Sequence, residues 1–410
     1  MESEPALAGS TIDHMIAMTV FIGALLIFIS LFNQTIQTAV LYQRNRAVAT
    51  KCSDLLDNML LNPGYPLEYE GNCPKEWGKL NCTPTIFGLQ DPEFSQYKLS
   101  PFSLMRLQSS TGQPIFYAGT NQYYSNVTMG FGSFLFVSFA DALNYSTVAK
   151  LLGVNNTYGF QLTLTPIVSV SISESRAGNP LTLNVNVTGN GIPFANATIS
   201  YLLIKVKSGD FPSYEIFPSN NSRTNSQGAC VLSFQNVSTS ESYAFIAYAR
   251  LGGLVGVGHY QRIKADSHVV PLVESISDRR VILAHSHDIY NTRVSPVSFN
   301  ATFVLLSQDF SLRRVSIEDS AGEVGQGEYT SLAVPTFEPG ILVVTYQSDG
   351  KTGVALVPWG ISSMGFTVVF GENPSGKEWV ATDIRQVIVG NVAYQAKLAL
   401  WSLEGYGVIG

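Results

Sequence analysis

The apolar positions near the N-terminus follow a helical pattern that does not stop at the end of its most hydrophobic part. Residues 15–32 carry no charged side chain and are together long enough to span a membrane. Helical spacing then continues to Asn62-Pro63-Gly64, where proline and glycine cannot prolong a helix. The pattern predicts a helix from Thr11 to Leu61, about 75 Å long, whereas a membrane span needs about 30 Å.

The second half of this helix carries an apolar stripe. Its members recur at three- and four-residue spacing, and they are Val48, Cys52, Leu55, Leu56, Met59 and Leu60. The charged residues Arg44, Lys51, Asp54 and Asp57 fall largely elsewhere. Such a stripe buries itself against another surface. We expect that surface to be the body of the same chain, with neighbouring subunits as the alternative.

Beyond residue 166 the spacing of apolar residues changes to strict alternation. Segments such as 168–172 and 181–187 alternate apolar with polar residues. Because this period is typical of half-buried strands separated by turns, the stretch 167–265 predicts an immunoglobulin-like β-sandwich. Short strand patterns continue over 266–410, with a hairpin turn at Asp349-Gly350, and predict a second sandwich.

Together these patterns predict an α+β chain that is mostly β. We expect a leader over 1–10, a transmembrane and stem helix over 11–62, and a small α+β head over 63–166. The two immunoglobulin-like sandwiches, over 167–265 and 266–410, follow the head.

The composition indicates an extracellular body. Charged residues make up 13% of the chain and the net charge is −6, with no cluster of Lys and Arg that would favour nucleic-acid binding. Asn-x-Ser/Thr triplets, which accept glycans only outside the cytoplasm, are numerous. They lie at Asn33, Asn81, Asn126, Asn144, Asn155, Asn186, Asn196, Asn220, Asn236 and Asn300. The alternative is that a chain rich in Asn and Thr forms such triplets by chance.

The four cysteines fit an oxidising compartment without forming a metal motif. Cys73 and Cys82 bracket a loop, and a disulfide between them is plausible outside the cytoplasm. Cys52 and Cys230 are expected to be buried thiols. The spacings match neither a zinc ribbon nor a redox motif.

Two signals disagree on the side of the membrane that holds the body. Arg44, Arg46 and Lys51 follow the apolar run, and by themselves they favour a cytoplasmic C-terminal side. The glycosylation triplets and the β-rich body favour the opposite side. We expect an extracellular body, because the basic residues lie on the stem well beyond the span.

The N-terminal segment resembles type IV pilin-like proteins, particularly the archaeal ones. Ala8-Gly9-Ser10 matches the leader cleavage region, Thr11-Ile12-Asp13 the mature start, and 15–32 the hydrophobic core. The resemblance continues to about residue 166. Its later motifs are Pro63-Gly64-Tyr65-Pro66, Trp77-Gly78, Phe87-Gly88-Leu89 and Tyr97-Lys98-Leu99.

The resemblance implies how the chain is processed and assembled. A prepilin peptidase would remove the leader, and the apolar helices would pack side by side with other pilin subunits or with copies of this chain. The apolar residues expected in that packing are Met15, Phe21, Leu25, Phe28 and Phe32. Asp13 is expected near the mature N-terminus, where it pairs with a neighbour's amine. The alternative is that Asp13 caps the start of the helix.

Motifs for catalysis or cofactor binding are weak. His285-Ser286-His287-Asp288 has metal-ligand residue types, but we expect a polar strand end or loop there. Gly252-Gly253-x-x-Gly256-x-Gly258 lies between β segments, which favours a glycine-lined bend over a phosphate loop. Without a Gly-x-Ser-x-Gly, HExxH or P-loop motif, we expect no enzyme, no cofactor and no metal.

The leading hypothesis is therefore a cell-surface pilin-like structural protein: a pilus subunit, a minor pilin or a pseudopilin. The alternative is a monomeric, membrane-anchored adhesin whose sandwiches bind a surface glycan or a protein. A surface hydrolase with an unrecognised site is a third hypothesis.

Overall fold

The computed structural model describes residues 4–66, 76–80, 82–93, 96–128, 134–218 and 222–403; the side chains of 4–11, 128, 134 and 135 lie outside the description. Its helices are α1 (Glu4–Leu61), α2 (Pro101–Ser109), α3 (Tyr145–Leu151) and α4 (Ser286–Tyr290). The early strands are β1 (Tyr65–Pro66), β2 (Pro84–Ile86), β3 (Lys98–Leu99), β4 (Gln113–Tyr117), β5 (Gln122–Thr128), β6 (Phe134–Ser138) and β7 (Tyr158–Pro166).

The remaining strands fall into two groups along the chain. The first group is β8 (Val168–Arg176), β9 (Leu181–Gly189), β10 (Ile192–Pro193), β11 (Thr198–Lys207), β12 (Ser213–Pro218), β13 (Ser222–Arg223), β14 (Ala229–Phe234), β15 (Tyr243–Leu251) and β16 (Leu254–Arg262). The second is β17 (Val269–Ser275), β18 (Arg280–His285), β19 (Val297–Leu306), β20 (Leu312–Val315), β21 (Ala321–Val324), β22 (Tyr329–Ala333), β23 (Gly340–Ser348), β24 (Lys351–Trp359), β25 (Val368–Gly371), β26 (Ala381–Val389) and β27 (Val392–Ser402).

The predicted fold class is confirmed: a long N-terminal helix precedes a body that is mostly β. The strands of 168–262 form two packed antiparallel sheets, β8-β9-β14 with β10, and β12-β11-β15-β16 with β13. Alternation places Leu183, Val185 and Phe245 in the core between them. Later in the chain, β23 and β24 meet at the predicted Asp349-Gly350 turn, where both residues have positive φ.

Another sheet, which we call the docking sheet, joins strands from distant parts of the chain. Its order is β25-β7-β27-β26-β3, and β7 pairs with β27 from Tyr158↔Ser402 to Pro166↔Tyr394. The strand that ends the expected head thus pairs with the last strand described. The sandwich of 168–262 and the sheet β20-β19-β23-β24 lie between those strands in sequence.

A six-stranded sheet also crosses the expected domain boundaries. Its order is β22-β18-β17-β6-β5-β4, with a parallel bridge between Val137 of β6 and Val273 of β17. Strands from 266–333 therefore complete a sheet that begins at residue 113. Period-two alternation identifies a strand and its buried face, but it does not identify the neighbouring strand.

Candidate functional site: the N-terminal helix and its docking sheet

The first part of α1 extends away from the body with its apolar side chains uncovered. Large apolar residues between positions 12 and 42 are 42% to 68% exposed on all sides of the helix. The helix is long and apolar enough to cross a membrane, and none of its most apolar window is buried by the body. Because a continuous apolar surface of this size marks an interaction with lipid or protein, this segment is the strongest candidate functional feature of the described chain.

The apolar residues expected in assembly all lie on this uncovered segment. Phe21, Leu25, Phe28 and Phe32 follow one another by three or four residues and so share one side of the helix. The rings of Phe28 and Phe32 stack with centroids 6.3 Å apart. Met15 is 65% exposed. The structure therefore leaves these side chains available to lipid or to another helix.

The described residues of the expected leader and Asp13 are helical. Since α1 begins at Glu4, the backbone of Ala8, Gly9 and Ser10 belongs to the helix. Proline is well tolerated in a first helical turn, where Pro5 lies, and alanine at positions 6 and 8 favours helix. Asp13 is exposed within the helix and is not its N-cap, so a capping role would require prior removal of the leader.

Threonine hydroxyls on the uncovered segment form hydrogen bonds within the helix. Thr19 donates to the carbonyl of Met15, and Thr35 donates to that of Leu31, each at 2.8 Å. This pairing lowers the free-energy cost of placing a hydroxyl in hydrocarbon. It is consistent with a membrane environment for this part of α1.

The second part of α1 lies on the docking sheet. The six side chains of the predicted stripe are at most 7% exposed, and the helix contacts β26 and β27. This confirms that the stripe packs against the chain's own body. Burying each side chain contributes about 1.5–3 kcal/mol, so the stripe fixes the direction in which the uncovered part leaves the body.

Cys52 lies at the centre of this contact. Its Sγ lies 3.5 Å from the carbonyl oxygen of Leu398 and 3.7 Å from that of Ala381. Burial, with a smaller contribution from the charge of Asp383, raises the pKa of the thiol to about 11. Cys52 is therefore a protonated packing residue at neutral pH, as the sequence predicted.

A charged contact accompanies the apolar one. The guanidinium of Arg385 on β26 donates to both carboxylate oxygens of Asp57, at 2.9 and 3.1 Å, and also to Ser53 and Asp383. Hydrogen bonds to Asp57 and then to Asp383 raise the pKa of Arg385. The bidentate geometry restrains the helix against sliding along the sheet.

We expect Asp57→Asn to lower the free energy of unfolding of the body by about 0.5–1 kcal/mol, because the ion pair is partly exposed. Asp54→Asn is the matched control, since Asp54 is exposed on the same helix. Its expected effect is below about 0.3 kcal/mol. Chemical unfolding in detergent at low and high salt measures both, and the Asp57 effect shrinks as salt screens the charges. Equal effects of the two substitutions would contradict the contact.

The motif residues after the helix surround its C-terminal end. The amide of Leu89 donates to the carbonyl of Met59 at 2.8 Å, and the indole of Trp77 donates to the carbonyl of Gly88 at 2.8 Å. A side chain at Gly88 would overlap the carbonyl of Asn62. The Trp-Gly and Phe-Gly-Leu motifs thus serve to hold the helix end on the body.

Arg106 of α2 connects this cluster to the rest of the head. It is 3% exposed, and its guanidinium donates to four backbone carbonyls at 2.7 to 3.0 Å. These carbonyls belong to Trp77, Leu80, Cys82 and Asp141. Burial lowers the pKa of Arg106, which the negative charge of Asp141 partly offsets. No motif in the sequence identified this residue.

The histidine cluster is tied into the local backbone. His285 ends β18, where its Nε2 lies 2.8 Å from the carbonyl of Ser295 and its Nδ1 accepts from the amide of His287. The Nδ1 of His287 contacts the carbonyl of Thr292. Within the described ranges, no group of three His, Cys, Asp or Glu residues is arranged to hold a metal ion. These contacts support a structural role.

The glycosylation candidates differ in accessibility. Exposed members are Asn33, Asn144, Asn155, Asn186, Asn196 and Asn236, whereas Asn126 and Asn300 are partly buried. Asn144 also caps α3, because its Oδ1 accepts from the amide of Thr147 at 2.9 Å. Asn81, Asn220 and Cys73 lie outside the described residues, and with Cys73 the expected Cys73–Cys82 disulfide. Modification at the exposed triplets stays a prediction.

No family model and no curated protein match the chain. Among solved structures, it is similar to Escherichia coli alpha-2-macroglobulin activated by porcine elastase, with 12% identity and a TM-score of 0.20 over 54% of this chain and 23% of that chain. It is also similar to invasin, a bacterial integrin-binding protein, with 11% identity and a TM-score of 0.16 over 56% of this chain and 54% of that chain. The chain thus spans about a quarter of the first structure and about half of the second. Likeness at these TM-scores is too low to transfer a function.

Proposed function

We propose that this chain is a cell-surface, type IV pilin-like structural protein, assembled through α1 and displaying a β-rich extracellular body. The observation that carries the proposal is the division of one continuous helix into two parts. The first part exposes apolar side chains in all directions, and the second is fixed on the docking sheet of the same chain. This division suits a subunit whose helix enters a shared apolar core while its body remains outside.

Several details support this assignment. The helix end is held by the Trp-Gly and Phe-Gly-Leu motifs, and Tyr97-Lys98-Leu99 brings β3 to the edge of the docking sheet. The partners would be copies of this chain or related subunits, with the membrane before assembly. Asp13, exposed near the start of the uncovered segment, would pair with the amine of a neighbour once the leader is removed.

N-terminal mass spectrometry on native membranes tests the processing step. We expect a mature chain whose first residue lies within residues 9–11, and we expect Gly9→Val to leave the leader attached because a branched side chain replaces glycine in the cleavage region. Gly23→Val is the matched control on the same helix, since a Cβ at Gly23 meets no atom within 4 Å. An intact Met1 in the native protein, or processing of the Gly9 variant as efficient as that of the control, would contradict the proposal.

A monomeric adhesin is the second candidate function. The sandwich of 168–262 and the sheet β20-β19-β23-β24 form a large displayed body, joined by the hydroxyl of Ser242, which donates to the carbonyl of Thr352 at 2.6 Å. Electron microscopy of surface material separates the two functions. Filaments containing the chain support the pilin-like function, and single anchored particles support the adhesin.

A further inference from the structure

A cleft of about 890 Å³ lies where the sandwich of 168–262 meets the rest of the body. Strand β8 forms one wall, residues 257–261 of β16 form the second, and the turn at 364–367 forms the third. Sites for small ligands occupy roughly 300–1,000 Å³. The residue that precedes the turn is anchored, because the hydroxyl of Tyr248 donates to the carbonyl of Ser363 at 2.8 Å.

The two strand walls are in contact, which restricts what the cleft can hold. Within the described chain, β8 pairs only with β9 and β16 only with β15. A Cβ on Gly256 would lie 2.5 Å from the carbonyl oxygen of Val168, and one on Gly258 would overlap that of Val170. A salt bridge at 3.2 Å joins Glu174 to Arg262 farther along. A peptide strand therefore has no room between β8 and β16, and a ligand must lie over them.

The lining of the cleft is neutral. Ser169, Ser171 and Ser173 present three exposed hydroxyls along β8. Glu174 is the sole acidic residue of the lining, and Arg262 and the hydroxyl of Tyr243 engage its carboxylate. Burial lowers the pKa of His259 to about 4, so its imidazole is uncharged at neutral pH. An ionic ligand would find no unpaired opposite charge in this lining.

Two further features of the lining indicate what kind of ligand the cleft can bind. The side-chain Oε1 of Gln261 is buried in the lining and accepts no hydrogen bond from the described residues. Buried acceptors of this kind are uncommon unless a partner is supplied. Next to it, the rings of His259 and Phe366 meet edge to face with centroids 5.7 Å apart. Because Phe366 is only 7% exposed, the partly exposed imidazole of His259 is the ring of this pair that a ligand can reach. The cleft thus combines exposed hydroxyls with an amide and an uncharged imidazole.

We propose that this cleft binds a neutral oligosaccharide. Its hydroxyls exchange hydrogen bonds with the serines of β8 and donate to the Oε1 of Gln261 once that side chain turns toward them, while a sugar ring packs on the imidazole of His259. A neutral sugar polymer presents many hydroxyls, no charge and apolar ring faces, which matches each element of the lining. The site goes beyond the proposed function, because it lies in the body and does not involve the uncovered helix.

Isothermal titration of the full chain in detergent micelles tests the site. The probes are maltohexaose, cellohexaose, mannohexaose and chitohexaose, together with a sialylated oligosaccharide and an uncharged Ser/Thr-rich peptide. We expect at least one neutral hexasaccharide to bind and the charged and peptide probes not to bind. Ser171→Tyr, which fills the cleft from an exposed position, should abolish binding, and Gln261→Leu should weaken it about tenfold.

Ser233→Tyr is the matched control, because Ser233 is exposed on β14 of the same sandwich outside the cleft. Thermal unfolding of every variant verifies that the fold is retained. Three results would overturn the inference: no binding of any neutral hexasaccharide, binding that Ser171→Tyr leaves unchanged, or binding of the peptide or charged probe alone. Because leader processing and filament formation are measured independently, failure here is distinguishable from failure of the proposed function.

Discussion

Leu56→Ala is expected to lower the free energy of unfolding of the body by about 2–5 kcal/mol, because it leaves a cavity between α1 and the docking sheet. Leu56 is fully buried in the described structure. Leu26→Ala on the same helix is the matched control. Since Leu26 is 62% exposed, its truncation removes no contact with the body. We expect it to change the unfolding free energy by less than about 0.5 kcal/mol.

Chemical unfolding of both variants in detergent, followed by tryptophan fluorescence, measures the difference. Trp401 on β27 and Trp77 beside the helix end are both buried, so their emission reports loss of the docked state. Equal destabilisation by the two substitutions would show that the stripe does not hold the helix. In an assembly assay we expect Leu26→Ala to have the larger effect of the two substitutions, because only Leu26 lies on the segment proposed to contact neighbouring subunits.

The sequence predicted the two parts of α1 because each carries its own local signal. An uncharged run with no polar face indicates lipid or helix packing, and a stripe at three- and four-residue spacing indicates one buried face. Alternation at 181–187 predicted strand β9 and its buried side equally well. These are local properties of side-chain spacing, and the structure retains them.

The partner strands were not predictable in the same way. The docking sheet pairs β7 with β27, which are separated by more than half of the chain, and nothing in their alternation identifies the other strand. Arg385 of β26 therefore could not be matched with Asp57 before the fold was known. The cleft likewise depends on contacts between segments that are far apart in sequence, because Phe366 and β8 come from different parts of the chain.

Arg106 shows a further limit of the sequence. An isolated arginine in the pattern of α2 is normally a solvated charge, yet here it is among the most buried residues of the head. Its guanidinium is bound by the backbone carbonyls of Trp77, Cys82 and Asp141. Because every residue has a carbonyl, the sequence does not indicate which carbonyls converge on one side chain. The Trp-Gly motif indicated the position of one segment, and the folded chain supplied the others.

Arg106→Met is expected to lower the free energy of unfolding by more than about 3 kcal/mol. The variant keeps most of the side-chain volume but removes the donor that four carbonyls share, two of them at buried contacts. The carbonyl of Trp77 keeps the amide of Leu80 as a donor, and each carbonyl left without a partner in a buried position costs about 1–3 kcal/mol. Because Arg106 links α2 to the residues around the helix end, we also expect faster proteolysis of the segment after residue 62. Chemical unfolding and limited proteolysis in detergent measure the two effects.

Two further substitutions separate the hydrogen bonds from the charge. Arg106→Lys retains the charge but lacks the forked donor geometry, so an intermediate loss is expected. Arg313→Met removes an exposed arginine from β20 and should change the unfolding free energy by less than about 0.5 kcal/mol. If Arg106→Met were as stable as Arg313→Met, the carbonyls around Arg106 would have to be satisfied by water, and the head would not depend on this residue. A lysine variant as stable as the native chain would instead assign the stabilisation to charge alone.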